Sequence, residues 1–300
     1  MIHGSKIVSA PIHSVCIFSL EYLLENIKNN NRLICHLIPS NVAIEILEML
    51  MQVFSHSRQL FNLDPFFIEI FETIKDAENS LYAASVCLYL EYIKKCINPS
   101  LEVIKSHFSF SACKAPYSVL ADVFYIGYCK NKSLDLLEQE LLTFLGDCKD
   151  WSFLYWFPLF SKFNDSSKMK RQVNQSLSLL NDSFCISGMN SENYLLLLQT
   201  FLTFDILIQD ELFTQFQVIW LLPWMNLMDG SSSFDSLPVH DIHFNDEMRC
   251  TSLKLLSKSK DNLATIEEIV IQVAVRKELD FFFKIVKMLP KLLRNSIISK

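Results

Sequence analysis

Asp64-Pro65-Phe66-Phe67-Ile68-Glu69-Ile70-Phe71-Glu72-Thr73-Ile74 holds, in one stretch, the signals that decide the fold. An Asx side chain accepts hydrogen bonds from the orphan amides of a first helical turn, and proline at the first helical position has no amide proton to lose. Behind that pair Phe67, Ile70, Phe71 and Ile74 recur at intervals of three and four, the spacing that puts side chains on one helix face. Asn98-Pro99 repeats the start signal. Ser40-Asn41, Asn79-Ser80, Ser133, Asp150, Asn190-Ser191 and Thr265 offer capping side chains, and Thr265-Ile266-Glu267-Glu268 has capping-box spacing. Ile44, Leu47, Met51 and Phe54 form a second apolar stripe. Further helices are expected near 12–29, 80–97, 99–109, 116–131, 134–147, 168–181, 191–208, 210–228, 246–258, 265–277 and 278–298.

The composition agrees. Half of the 300 residues are apolar and a fifth are charged, which suits a chain with a large core and excludes disorder. Five glycines make phosphate cradles, nucleophile elbows and hairpin turns scarce, because those devices need backbone conformations that only glycine adopts without cost. The class read from this is all-α: an irregular helical repeat, a HEAT-like α-solenoid of about a dozen helices, with a compact helical bundle as the alternative. The polar run Asp229-Gly230-Ser231-Ser232-Ser233-Phe234-Asp235-Ser236-Leu237-Pro238 marks the composition break. It divides the chain into a helical-repeat body over 1–228, a flexible loop over 229–244 and C-terminal helices over 245–300 packed on the body.

Nine cysteines, at 16, 35, 87, 96, 113, 129, 148, 185 and 250, include no CxxC pair, and most lie among apolar neighbours. Reduced thiols in a reducing compartment follow, so an intracellular protein of nucleus or cytoplasm is expected. Met1 to Ala10 has no signal-peptide core, and the apolar runs Tyr194 to Ile208 and Val218 to Leu227 are too short to span a membrane. A net charge of −6 does not indicate a general grip on nucleic acid, although local basic clusters exist at Lys168, Lys170 and Arg171 and at Lys284, Lys287, Lys291, Arg294 and Lys300.

Residues 240–250 concentrate potential metal ligands, with His240, His243 and Cys250 as weak candidates beside Asp241, Asp246 and Glu247. The His240-Asp241 pair resembles the adjacent metal ligands of HD phosphohydrolases, which need another histidine upstream; the nearest here is His107. No HExxH, GxSxG, Walker A or DDxxD arrangement occurs, and the acids Glu138, Glu140, Glu267 and Glu268 read as solvent-facing helix residues. No catalytic residue, cofactor or small-molecule substrate is assigned. A non-enzymatic chain is expected.

Two aromatic segments need cover. Trp151, Phe153, Tyr155, Trp156, Phe157, Phe160 and Phe163 surround Pro158, and Phe216, Ile219, Trp220, Leu221, Leu222 and Trp224 surround Pro223, which should kink or end its helix. Leu279, Phe282, Phe283, Val286, Leu289, Leu292 and Leu293 form an apolar side on the last expected helix. Trp156, Phe157, Phe282, Phe283, Val286 and Leu289 are the expected partner-binding anchors, with other proteins of a larger complex as partners.

Phe18-Ser19-Leu20-Glu21-Tyr22-Leu23-Leu24, followed by Leu37-Ile38-Pro39-Ser40-Asn41-Val42-Ala43-Ile44-Glu45-Ile46-Leu47, resembles the amino-terminal helices of leucine-rich cullin-adaptor substrate receptors. In those receptors a helix packs on an elongin-type adaptor, which would imply a ubiquitin-ligase adaptor or receptor role. Leu24 stands where an adaptor-binding cysteine is usual, and no leucine-rich repeat follows. The reading ranked first is a scaffold or subunit of an intracellular complex, with a nuclear genome-maintenance setting. The cullin role and a metal-dependent helical enzyme built on 240–250 are its alternatives.

Overall fold

A computed structural model describes residues 63–74, 79–96, 98–111, 115–181, 189–205, 220–227 and 243–289, together with Glu45 and Glu48. These residues are all-helical, with no strand among them. Eleven α-helices are delimited among the described residues: α1 (Asp64–Ile74), α2 (Asn79–Lys95), α3 (Leu101–His107), α4 (Tyr117–Lys130), α5 (Leu134–Asp147), α6 (Phe157–Phe160), α7 (Ser167–Asn181), α8 (Ser191–Thr203), α9 (Asp246–Leu256), α10 (Leu263–Val275) and α11 (Leu279–Met288). Short 3-10 segments cover Trp151–Trp156, Ser161–Phe163, Leu222–Leu227 and Lys260–Asn262. The chain forms two compact units, Met1–Leu141 and Leu142–Lys300, divided inside α5. The cullin-like stretch lies outside the described residues except Glu45, as does the serine run.

In unit 1, α1 packs on α2 and α3, and α4 packs on the same two helices. A helical bundle and a helical-pair solenoid both fit that pairing. The stripe read from Phe67, Ile70, Phe71 and Ile74 is the buried face of α1. Phe67 and Phe71 meet Tyr89 edge-on at 4.9 and 5.6 Å, and Phe108 meets Phe71 at 5.1 Å. Asp64 is the first residue of α1, and its carboxylate accepts from the Tyr92 hydroxyl at 3.1 Å, while the Tyr92 hydroxyl oxygen accepts from the Leu63 amide at 3.1 Å.

Asn98-Pro99 starts its helix later than the sequence suggests. The Pro99 carbonyl accepts from Asn131 Nδ2 at 2.7 Å, and the cap passes to Ser100, whose hydroxyl accepts from the Val103 amide at 3.4 Å. Glu140 is no mere solvent residue: Tyr128 Oη and Lys105 Nζ donate to its two oxygens at 2.6 and 2.9 Å. Lys130 Nζ closes α2 by donating to the carbonyls of Lys94 and Cys96 at 2.7 and 2.6 Å, which satisfies acceptors the helix end leaves open. Gly127 lets α4 approach α3, since a β-carbon there would overlap Ile104 Cδ1.

In unit 2, Asp150 accepts from the Ser152 amide at 2.8 Å and opens the aromatic segment, which runs 3-10, then α6, then 3-10 through Phe163. Phe153, Leu154, Trp156, Leu159 and Phe160 are buried in it, and Phe160 meets Phe204 at 5.6 Å. Asn190 caps α8 and Asn245 caps α9, their Oδ1 atoms accepting from Asn193 and Met248 amides at 2.8 and 2.9 Å. Helix α8 stops at Thr203, short of the expected 208: Asp205 turns left-handed at φ 46 and binds Lys258 at 2.5 Å. The Thr265 capping box does not form. Helix α10 begins two residues earlier, behind Asn262, whose amide nitrogen donates to the Leu256 carbonyl at 3.3 Å. Pro223 ends α-helical geometry as expected, with 3-10 winding from Leu222.

A glycine-poor chain needs other residues where helices close left-handed. Lys132 (φ 55) and Lys277 (φ 62) take that role in two identical arrangements. After α4, Lys132 N donates to Cys129 O at 3.0 Å and Ser133 N to Tyr128 O at 2.9 Å; after α10, Lys277 N donates to Ala274 O at 3.0 Å and Glu278 N to Val273 O at 3.3 Å. Both are Schellman motifs with lysine where glycine is usual.

Candidate functional site

Helices α10 and α11 pack on one another, and α11 also packs on α9. Four aliphatic positions of α10, Ile266, Ile269, Val270 and Val273, are fully buried. On α11 the buried face is Phe281, Ile285 and Val286, continued by Leu289 just past its end. Phe281 is its anchor. Its ring stacks on Trp224 at 6.0 Å, and the Arg249 guanidinium lies 5.4 Å from its centroid. Trp224 Nε1 donates to Ser252 Oγ at 2.7 Å, so the indole is fully buried with its one polar atom satisfied. Arg249 Nη1 pairs with Glu278 Oε2 at 3.0 Å and ties the turn before α11 to α9.

The opposite side is left to solvent. Ile271 and Val275 stand four residues apart on α10, and Leu279 and Phe283 stand four apart on α11; the last three are 57–67% exposed. Val275 ends α10 and Leu279 begins α11, so the chain between them limits their separation to about 14 Å. Beside Phe283, the side chains of Asp280, Lys284, Lys287 and Met288 line an open depression. Helix α11 ends at Met288 with Leu289 extended, because Pro290 follows and disfavours helical geometry in the residue before it. Lys291, Leu292, Leu293 and Arg294, counted with the expected last helix, lie outside the described residues.

The six expected anchors therefore separate by burial. Phe283 is exposed and Phe282 half-buried, its ring 5.6 Å from that of Phe283. Val286 and Leu289 are inside. Trp156 is also inside, edge-on to Phe144 at 6.5 Å, with Phe157 half-buried next to it. The sequence stripe on α11 mixed two faces. The spacing 281, 285, 289 marks the inner one, and Phe281 is the residue that reading missed.

His243 precedes α9 and is exposed, its backbone amide donating to Ser191 Oγ at 2.9 Å, whereas Cys250 is on the buried side of α9 and its thiol pKa is raised by burial. His240 and Asp241 lie outside the described residues. Asp246 and Glu247 occupy the first turn of α9, where the helix macrodipole favours acids. Among the described residues no group of three His, Cys, Asp or Glu side chains is placed to hold a metal ion. No described helix is long and apolar enough to cross a membrane. Lys168 and Arg171 are exposed along α7 opposite its buried Met169, Val173 and Leu177. Comparison with known proteins finds no matching family model, no matching curated protein and no matching solved structure.

Proposed function

We propose that this chain works by docking: a non-enzymatic scaffold or subunit of an intracellular assembly, in nucleus or cytoplasm, with genome maintenance as one setting. HEAT-like stacking of its helix pairs is part of the same reading. One observation carries it. Of seven large apolar side chains exposed among the described residues, five, Leu263, Ile271, Val275, Leu279 and Phe283, belong to the single helix pair α10 and α11. Exposed apolar residues scattered singly need no explanation, but a concentration on one element marks an interaction surface.

The cullin and metal-enzyme alternatives gain no comparable support, since the first rests on residues 18–47 and the second on His240 and Asp241. The test is partner recovery from cells with full-length chain, comparing wild type with Leu279→Asp/Phe283→Asp. Both positions are more than half exposed, so the variant is expected to keep its fold, checked by circular dichroism. Leu289 is unsuitable for this purpose because it is 3% exposed. Proteins recovered by wild type are expected to disappear. Unchanged recovery by the folded variant overturns the proposal.

A further inference from the structure

We draw no further inference here: the strongest candidate, the apolar line of Ile271, Val275, Leu279 and Phe283 on the outer side of α10 and α11, lies in a stretch whose cations and carboxylates balance, and nothing in the structure shows what covers it.

Discussion

In unit 1, Phe67, Phe71, Tyr89 and Phe108 close on one another, and polar side chains tie the surrounding helices: Tyr92 to Asp64, Tyr128 and Lys105 to Glu140, Lys130 to the end of α2. Only Ile68 and Leu136 remain as large exposed apolar residues among its described positions. In unit 2, α10 and α11 bury one side as thoroughly, through Ile266, Ile269, Ile285 and Phe281, yet leave a second apolar line in water. Burial in the first case is nearly complete among the described residues of the unit. In the second, the exposed line contributes little to folding, so its loss should leave stability nearly unchanged and remove association.

The sharpest way to break that contrast is to compare inner and outer aromatic residues of the same unit. Trp224→Ala removes a fully buried indole with its ring contact and hydrogen bond, and should cost about 3–5 kcal/mol in urea unfolding. Phe283→Ser should stay within about 0.5 kcal/mol of wild type in the same measurement, as surface substitutions do. A large loss from Phe283→Ser would make the outer line part of the core.

A second experiment probes unit 1. Gly127→Ala forces a methyl against Ile104 Cδ1 and should cost about 1–3 kcal/mol. Ile104→Val removes the clashing atom, so the double variant should recover part of that loss. Additive costs would mean the close approach of α3 and α4 is not what requires glycine.

Smaller effects come from helix closure. Lys132→Gly and Lys277→Gly should each stabilise by about 0.5–1 kcal/mol, as left-handed strain is relieved against the greater unfolded-state freedom of glycine. The two motifs share their hydrogen-bond pattern, so a difference between the two gains measures their surroundings.

The smallest expected effect is on pH. Burial lowers the His107 pKa, with Glu72 opposing; the ring lies 5.4 Å from Phe71, and the Tyr82 hydroxyl donates to the His107 carbonyl. The unfolded chain therefore binds the proton more readily. The stability contribution is complete above the ordinary histidine pKa of about 6.5 and is lost as pH falls from there through the lower folded value. Comparing wild type with His107→Gln across that range should show the greater acid loss in wild type. Parallel profiles would remove this role.

The helical class was legible in the sequence because caps and three-four spacing are local signals, and α1, α4, α5, α7 and α8 begin within one residue of where the sequence places them. What was not legible depends on residues distant in sequence. Glu140 looked solvated until Lys105 and Tyr128 were brought to it, and Asn98-Pro99 lost its start because Asn131 claims the Pro99 carbonyl. Trp156 and Phe283 are alike as aromatic residues in apolar stretches. Only the neighbours that cover the first, and leave the second bare, distinguish them. The α11 face was half legible: the stripe was visible, but its inner edge at Phe281 required Trp224 and Arg249 to define it.

The Schellman closure after α10 makes the Glu278 amide a reporter of motion. Its proton is held by Val273 O of α10 while its side chain holds Arg249 of α9, so that amide exchanges only when the turn carrying α11 opens. Deuterium uptake at that position then times how often the last helix peels from its neighbours, and a ligand clasping α10 to α11 would slow that clock.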